Sequence, residues 1–478
     1  MKEPERLIGF VFYEEEELAF EFDKDAYVLN LYPSKEQWER YSGISYFTEN
    51  LRMDGTKYEW ISELRIYGES STGNRVIFSV QNLPSSYHGF LSFQVNWYFT
   101  CYHGMDENHI AGFCVEGDIV DAFYSPMAAL ENRIEYNEEK KVDRAVVNSV
   151  NPSDASCGSY MLTDSIEAEL KMIAYPVLES RNYEHPIHAR SRFIAAFSQP
   201  VSIDTVCIAF EHVRSFFIFS AYRVNVGIRR AELFVADEDG GRDYLGILAF
   251  PEKKAPEKNT KAKERMIVYD DVRGKMAGIF DDIKNKYLSL QHICPDYDAI
   301  RTYPLSRMIM IFASFERLYG HIYGKDTDRS EEYLEMKEKV VKLIDQLVDS
   351  STGKRKKYAK TLRNYVDSRD ASFAANTAYA LKDCSEIMRP FLKKYYKGEF
   401  EETVEEISER IGIIRNGIAH CRLDFKLEAI HLSDIHIIEE LIYAMELKQT
   451  GLDSQTCGRA ISRLFGENMS CFFGKNGM

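Results

Sequence analysis

An arginine and a histidine at the end of an acidic, helix-like run are the residues of this sequence best suited to chemistry. In "IIRNGIAHC" (residues 413–421), Arg415 and Asn416 are followed, after Gly-Ile-Ala, by His420. Histidine titrates near neutral pH and can take or give a proton, whereas arginine stays charged and binds phosphate oxygens with a planar fork. Asn416 adds a neutral donor. These groups suit metal-independent RNA cleavage, in which the 2′-OH attacks its own phosphate and the 5′-oxygen leaves.

The spacing of Arg415 and His420 carries little information by itself. The chain contains two arginine–histidine pairs separated by four to six residues, and about two are expected by chance. The other pair, Arg181 and His188, lies in a proline-containing stretch typical of a surface loop. A plainer interpretation of the first pair also stays open, in which Arg415 and His420 only satisfy the carbonyl end of a helix.

The residues before Arg415 predict a helix that packs one face against a core. Its apolar residues recur at steps of three and four, at Val404, Ile407, Ile411, Ile414 and Ile418. Five residues turn a straight helix by about 500°, so Arg415 and His420 would point roughly 140° apart. A shared site therefore needs either a helix break near Gly417 or a two-fold dimer that brings second copies into one cleft.

The elements that must position these residues fall into two regions with different periodicities. Residues 1–265 contain short runs rich in aromatic and β-branched residues, which predicts an antiparallel sandwich or barrel. The predicted strands are 7–23 (a hairpin), 60–67, 75–80, 92–102, 167–176, 206–210, 216–226 and 231–236, with a helix near 125–138. The polar, proline-bearing stretch 251–265 predicts a linker.

After the linker, the apolar period becomes helical. The predicted helices are 271–292, 304–324, 330–349, 354–366, 371–397, 401–416, 434–448 and 455–464. We therefore expect an α+β multidomain chain, with a β-rich, antiparallel sandwich-like region at 1–265 and an all-α bundle at 266–478.

Charge and hydropathy narrow the classes of function. No apolar run reaches the roughly 18–20 residues of a membrane span, and the N-terminus has no apolar signal core, so we expect a cytoplasmic protein without a membrane partner. Residues 1–265 carry 28 basic and 42 acidic residues, and residues 266–478 carry 32 and 33, which gives −14 and −1 of the total −15. The acidic region would repel phosphates, whereas the nearly neutral one leaves room for a local basic site.

The nine cysteines predict neither a disulfide framework nor a metal site. They are dispersed, and no two form a C-x-x-C pair. His103 and His109 lie near Cys101 and Cys114, but the spacing fits no standard ligand pattern. We therefore expect no metal and no cofactor.

The segment "RNGIAH", at the end of a helix in an all-α region, resembles the HEPN superfamily, whose ribonucleases carry R-x(4–6)-H, often as R-N-x-x-x-H. The resemblance covers about residue 271 to the C-terminus, and the β-rich region before it is similar to that of ApeA-type anti-phage proteins of bacteria. It implies a homodimeric RNA endonuclease with Arg415 and His420 at the dimer interface. It further implies activation during phage infection and growth arrest by RNA cleavage, with tRNA a candidate substrate. The N-terminal region would sense a phage protein or cover the nuclease.

Two further sets of residues extend the candidate site. Some HEPN families place an acidic residue on an earlier helix against the motif arginine, and Glu316 in "IFASFERLYG" is the candidate here. The alternative is a surface glutamate beside Arg317. The densest basic run, 352–363, would guide an RNA backbone or form a solvated helix face. Its basic residues are Lys354, Arg355, Lys356, Lys357, Lys360 and Arg363.

Three classes of function remain after these observations. The first is the RNA endonuclease of an anti-phage, abortive-infection system. The second is a catalytically inactive HEPN module that binds nucleotides or proteins, with a β-sandwich recognition domain. The third is a carbohydrate- or protein-binding adaptor with a helical dimerisation domain. Only the first predicts RNA cleavage that depends on Arg415 and His420.

Overall fold

The computed structural model of the chain forms two compact units. One unit comprises residues 1–214 and 225–257 and is built mainly of strands; the other comprises 215–224 and 258–478 and is helical. The sequence predicts one boundary between a β-rich and a helical region, after residue 265. The structure describes residues 5–41, 63–81, 84–87, 89–102, 107–137, 140–150, 155–178, 187–236, 241–252, 254–324, 331–368, 372–420 and 427–467.

The described strands of the first unit pair only in antiparallel fashion. They are β1 Arg6–Tyr13, β2 Glu16–Asp23, β3 Val28–Tyr32, β4 Glu63–Ser70, β5 Arg75–Gln81, β6 Ser85–Tyr87, β7 Phe90–Cys101, β8 Ile110–Glu116, β9 Leu130–Tyr136, β10 Val142–Ser149, β11 Ala155–Met161, β12 Glu167–Leu178, β13 Ile187–Val201, β14 Arg230–Ala236 and β15 Arg242–Ala249. Thirteen of them form one sheet, in the order β11-β12-β13-β8-β14-β15-β7-β3-β2-β1-β4-β5 with β6 on β7, and β9 pairs with β10. The described strands of this part of the chain therefore form one large hydrogen-bonded sheet and one two-stranded sheet.

Six strands of the sheet close into a ring, because β7 pairs along both of its edges. Residues 91–94 of β7 bond to β3, and residues 95–101 bond to β5, so the path β7-β3-β2-β1-β4-β5 returns to β7. Buried side chains alternate along β2 and β3, as in half-buried strands, whereas the residues of β5 from Val76 to Val80 are all buried. Phe22, for example, lies edge-on to Phe78 and Tyr98, with ring centroids 5.0 and 4.9 Å away. Gly9 of β1 permits a close crossing with β4, because a Cβ there would lie 2.0 Å from the carbonyl oxygen of Glu69.

Three α-helices begin among the described residues of this part of the chain, and the structure corrects the sequence prediction in two places. They are α1 Lys35–Tyr41, α2 Asp118–Phe123 and α3 Ile203–Ala221. The strands predicted at 206–210 and 216–226 are wrong, since α3 covers most of both. The helix predicted near 125–138 is also wrong, because a short 3₁₀ turn at Pro126–Ala129 leads into β9.

The helical unit contains eleven helices in its described residues. They are α4 Thr260–Glu264, α5 Tyr269–Val272, α6 Met276–Lys284, α7 Leu305–Tyr323, α8 Glu331–Ser350, α9 Gly353–Ser368, α10 Phe373–Asp383, α11 Ser385–Tyr395, α12 Phe400–Ala419, α13 Ala429–Gln449 and α14 Ser454–Phe465. The predicted helix 371–397 divides at Cys384, 271–292 is replaced by the shorter α5 and α6, and the linker ends in α4. None of the described helices combines the length and apolar character needed to cross a bilayer.

Helix α13 lies at the centre of this bundle. It contacts α7, α11, α12 and α14, and its residues from Asp434 to Leu447 are buried except for His436, which is partly exposed. Its core is apolar at positions such as Ile438, Leu441 and Tyr443. The same helix also buries four acidic side chains, namely Asp434, Glu439, Glu440 and Glu446. Buried carboxylates are costly unless they are paired or protonated, so their partners define the polar interior of the unit.

Candidate active site

Arg415, Asn416 and His420 lie at the C-terminal end of α12. The predicted apolar face of this helix is fully buried from Val404 to Ile414, which fixes the rotation of the helix in the bundle. Arg415 lies beside that face and is partly exposed, whereas Asn416 and His420 are exposed. His420 ends the helix, and its backbone N–H donates to the Asn416 carbonyl at 3.1 Å.

Helix α12 does not break at Gly417. It continues to Ala419, and Gly417 is buried within its last turn. A glycine inside a helix lowers the stability of the helix by about 1 kcal/mol relative to alanine. The packing of the adjacent buried turns offsets this loss. The predicted helix break is therefore wrong. The alternative, a two-fold dimer that completes the cleft, stays a prediction.

Glu316 on α7 holds the guanidinium group of Arg415. Nη2 of Arg415 donates to Oε1 of Glu316 at 3.0 Å, and Nη1 lies 3.5 Å from Oδ1 of Asn416. The two side chains of the ion pair are 34% and 41% exposed, so the pair lies at the surface, within reach of a ligand. The contact suggested by the sequence is thus present, and its role in catalysis stays a prediction.

Helix α7 presents Glu316 because its opposite face belongs to the core. Met308, Ile311, Phe312, Phe315 and Leu318 are buried at helical spacing. Residues three and four positions apart share a helix face, so Ile309, Ala313 and Glu316 form the exposed side. Two packed helices therefore place the carboxylate and the guanidinium together.

Arg410 anchors α12 to α13, one turn and a half before Arg415. Its guanidinium donates to both oxygens of the buried Asp434, at 2.8 and 3.0 Å, and Tyr396 donates to the same carboxylate at 2.6 Å. Burial, with the hydrogen bond to Asp434, raises the pKa of Tyr396 well above its ordinary value, so this phenol stays a neutral donor. Arg410 therefore has a structural role, as the partner of a buried carboxylate. Arg415 is the arginine of this helix that faces outward.

The basic run 352–363 lies on α9, which packs against α8. Lys354, Arg355, Lys357 and Lys360 are exposed, and Lys356 is partly buried. Arg363 is paired with Asp345 at 3.0 Å. Tyr358 within the run is 66% exposed, so an aromatic face is available between the cations. RNA contact by this surface stays a prediction.

Most of the remaining sequence candidates lie on strands of the first unit or outside the described residues. His188 lies on strand β13, and Arg181 falls outside the described residues. Cys101 and Cys114 are buried on β7 and β8, and burial raises the pKa of each thiol to about 11. His103 lies outside the described residues, so the proposed ligand set cannot be assembled from described positions alone.

One cluster of ionisable residues was not singled out from the sequence. His436, Glu440 and Glu467 bring one possible ligand atom each within 4.8 Å of the others, in the interior of the helical unit. The signal available in the sequence was "HIIEE", since His436 and Glu440 are four residues apart and share a helix face. Glu467 could not be added, because only the folded chain brings it near.

Comparisons with protein-family models, with curated proteins and with solved structures give no match for this chain. The arrangement of Glu316, Arg415, Asn416 and His420 and the resemblance of their motif therefore carry the functional conclusion.

Proposed function

We propose that this protein is a metal-independent RNA endonuclease of the HEPN type that acts as a homodimer. The observation that carries the proposal is the surface ion pair between Arg415 and Glu316, which fixes a guanidinium at the helix end that also bears Asn416 and His420. A fixed, solvent-accessible arginine on the same helix end as an exposed histidine suits a phosphodiester substrate. The resemblance of "RNGIAH" to HEPN ribonucleases supports the same conclusion.

In the proposed reaction, a ribose 2′-OH attacks the adjacent phosphorus and the bond from phosphorus to the 5′-oxygen breaks. One histidine accepts the 2′-OH proton, and a second donates a proton to the leaving 5′-oxygen. Arg415 stabilises the negative charge that develops on the phosphate oxygens, and Glu316 keeps its guanidinium oriented. The products are a 2′,3′-cyclic phosphate and a 5′-hydroxyl end.

A dimer supplies the second histidine. The side chains of Arg415 and His420 point roughly 140° apart around one straight helix. One chain therefore presents its proton-accepting histidine and its phosphate-binding arginine on different sides of that helix. A two-fold axis near the end of α12 would set one chain's Arg415 against the other chain's His420. Ile413 on α12 and Ile309 on α7 are 64% and 43% exposed on the faces that also carry Asn416 and Glu316. Exposed apolar residues beside a polar site are typical of an interface.

The cellular role follows from the same resemblance. We propose that the nuclease cleaves host RNA, with tRNA a candidate, during phage infection, and that growth arrest limits the phage. The β-rich unit would respond to a phage-derived protein. The exposed Lys354, Arg355, Lys357 and Lys360 would guide the RNA backbone, with Lys356 and Arg363 at the edge of that surface.

The test compares the wild-type chain with His420→Ala and Arg415→Ala. Each variant should lose RNA cleavage about 10²–10⁴-fold, the range of a positioned acid–base or charge-stabilising group, with unchanged circular dichroism and Tm. His431→Ala, on the neighbouring helix, is the matched control and should keep full activity. Cleavage is measured on purified tRNA and total RNA, and the ends of the products are mapped.

Two results would contradict the proposal. A folded His420→Ala chain that cleaves RNA at the wild-type rate would remove the histidine from the reaction, and products with 5′-phosphate ends would exclude attack by the 2′-OH. Absence of cleavage together with specific nucleotide binding would favour the inactive HEPN module instead.

A further inference from the structure

Two side chains of α13 and one from the end of α14 meet inside the helical unit. His436 and Glu440 lie one turn apart on α13, and Glu467 follows the end of α14. Nε2 of His436 lies 3.5 Å from Oε1 of Glu440 and 3.7 Å from Oε1 of Glu467. The side chains of Glu440 and Glu467 are only 0% and 4% exposed, and that of His436 is 17% exposed. The cluster is therefore enclosed, and part of the imidazole is accessible to solvent.

A left-handed turn delivers Glu467 to this cluster. Gly466 ends α14 with φ of 68°, a conformation that side chains other than glycine rarely adopt. The N–H of Glu467 donates to the Ser462 carbonyl at 2.7 Å, which is the closing bond of a Schellman motif. The chain reverses at this point, and the Glu467 carboxylate turns back toward α13.

Three of the four carboxylate oxygens in the cluster have no hydrogen-bond partner. Neither oxygen of Glu440 has a hydrogen-bond partner, although the residue is completely buried, and Oε2 of Glu467 also has none. Leaving a buried carboxylate unpaired costs several kcal/mol, so such groups are normally protonated, paired or bound to a metal ion. The fourth buried acid of α13, Glu446, has no histidine of this kind beside it among the described contacts.

The imidazole of His436 is oriented for ligation. Its Nδ1 lies 3.1 Å from the Tyr303 hydroxyl and 3.5 Å from Oε2 of Glu439, and Glu439 is held by Arg307 at 2.6 Å. An N–H on Nδ1 can donate to this carboxylate, which leaves the lone pair of Nε2 directed at Glu440 and Glu467. Metal-binding histidines almost always carry such a carboxylate on the other ring nitrogen.

We propose that His436, Glu440 and Glu467 form a binding site for one divalent transition-metal ion, with Zn²⁺ the favoured ion. Nitrogen and oxygen ligands at about 2.0–2.2 Å in tetrahedral geometry lie about 3.4 Å from one another. The separation of 3.5 Å between Nε2 of His436 and Oε1 of Glu440 is close to this value. Three protein ligands leave a fourth position for water, and the ion would tie the C-terminal segment to the central helix.

Protons compete with the ion for the same atoms. Burial favours the neutral imidazole, but Glu440, Glu439 and Glu467 outweigh it and raise the pKa of His436 well above its ordinary value. Burial likewise raises the pKa of Glu440. The other groups that face the cluster are Tyr303, Lys394 and Tyr395, of which Lys394 lies 2.7 Å from Oε1 of Glu467. That ammonium occupies Oε1, so Glu467 would use its free Oε2 for the ion.

The experiment uses the full-length chain produced in zinc-supplemented medium and dialysed against metal-free buffer. Mass spectrometry should find about one Zn²⁺ per chain in the wild type and a loss of about tenfold or more in Glu440→Gln and His436→Gln. Glu446→Gln is the matched control, since Glu446 is another fully buried glutamate of α13 with unpartnered oxygens, and it should keep the ion. Co²⁺ should replace Zn²⁺ with the visible absorption of a tetrahedral complex.

Three outcomes would overturn the proposal. The first is a wild-type apo-chain that binds neither Zn²⁺ nor Co²⁺ in calorimetry and gains no Tm from them, in which case the cluster holds only protons. The second is a Glu440→Gln chain that retains the full ion content, which would place the ion elsewhere. Loss of the ion in Glu446→Gln as well would make the effect structural. If His436→Gln fails to fold, Glu440→Gln decides, because it replaces a carboxyl group by a neutral group of the same shape.

The metal proposal is independent of the proposed ribonuclease activity. His420→Ala should keep the full ion content, since His420 lies at the exposed end of α12 and not in the cluster. Because removing a structural ion would destabilise the bundle, loss of RNA cleavage in a chelator would not by itself show a catalytic metal. The ends of the RNA products distinguish the two cases.

Discussion

At the residue scale, the ion pair between Arg415 and Glu316 orients a group more than it stabilises the fold. Both side chains are about one-third exposed or more, and such pairs contribute about 0–1 kcal/mol to stability. The guanidinium nevertheless gains a preferred direction, because one nitrogen is fixed by Glu316 and another lies near Asn416. Arginine is useful at phosphate sites for its fixed, planar set of donors, so orientation is the property that the pair adds.

Glu316→Gln tests this positioning role. The variant keeps the shape of the side chain but loses its charge, so the free energy of unfolding should change by less than about 1 kcal/mol. RNA cleavage should fall about tenfold through kcat, because a freely rotating Arg415 must be ordered in the transition state. Urea unfolding and steady-state cleavage rates measure the two effects separately.

The exposed Glu405 on α12 supplies the control for Glu316→Gln. Glu405→Gln removes the same charge from the same unit and should leave cleavage within twofold, whereas Glu316→Asp, which retains a carboxylate, should recover part of the rate. Equal rates in Glu316→Gln and the wild type would show that the ion pair has no part in the reaction.

The sequence reveals the exposed site better than the buried one. Arg415, Asn416 and His420 are neighbours in one segment, and Glu316 was suggested through the motif, so local spacing was enough to place them on the surfaces of two helices. The cluster of His436, Glu440 and Glu467 depends on the left-handed turn at Gly466 and on the packing of α13, which no local pattern specifies. The periodicity of apolar residues along a sequence does not predict which residues of different helices come into contact.

At the element scale, α12 is a rigid support that packs very closely on α10. A Cβ at Gly412 would lie 3.1 Å from Cβ of Ala374, tighter than ordinary van der Waals contact. This close approach lets the buried isoleucines of α12 reach the core while Arg415 stays at the surface. Helix α12 is therefore positioned by small side chains on one side and by the Arg410–Asp434 pair on another.

Gly412→Leu tests the importance of this close approach. The added side chain has no space and should lower the free energy of unfolding by about 1–3 kcal/mol, the usual cost of overpacking. Gly320→Leu is the matched control, since Gly320 is a helical glycine of α7 with open space around it, and leucine should be neutral or slightly stabilising there. Equal stability of the two variants in urea would contradict the packing described for α12.

The sequence predicts a helix correctly where one face of that helix is apolar and the opposite face is charged. Helix α12 follows this pattern, and its predicted buried positions from Val404 to Ile414 are confirmed. Helix α3 was mistaken for two strands because its second half buries residues on more than one face, such as Phe217, Phe219 and Ala221. A helix that is apolar nearly all round has no clear period, and its aromatic and β-branched residues then favour a strand prediction.

At the scale of the whole molecule, the proposed reaction requires two chains. Ile413 is 64% exposed, and Asn416 and His420 follow it at steps of three and four on the same face of α12. An exposed isoleucine between polar residues is costly unless a partner covers it. The homodimer inferred from the resemblance would bury this residue at its centre.

Ile413→Glu should abolish the dimer and, with it, RNA cleavage, although Arg415 and His420 are unchanged. The two introduced carboxylates would face each other near a two-fold axis, where repulsion and loss of apolar contact weaken association about 100-fold or more. Sedimentation and light scattering measure the dimer, and cleavage assays measure the activity.

Ile208→Glu provides the matched control for the dimer prediction. Ile208 is 51% exposed on α3, in the β-rich unit, and its replacement should leave both association and cleavage intact. A monomeric Ile413→Glu chain with wild-type cleavage would show that one chain contains a complete site.

The helical unit is assembled from two separate pieces of the chain. Its early piece, Ser215–Val224, buries Phe216, Phe217 and Tyr222; the Tyr222 hydroxyl hydrogen-bonds to Glu439, and the Phe219 carbonyl accepts from Tyr443 at 2.8 Å. During synthesis on the ribosome, this aromatic segment emerges long before α13. Its aromatic side chains therefore cannot be buried against α13 until that helix has been synthesised. A gene fragment that begins at residue 258 would leave α13 without them, so the complete helical unit cannot be obtained by a single cut. Recombination that exchanges one unit between relatives would likewise need two crossovers, which favours inheritance of both units together.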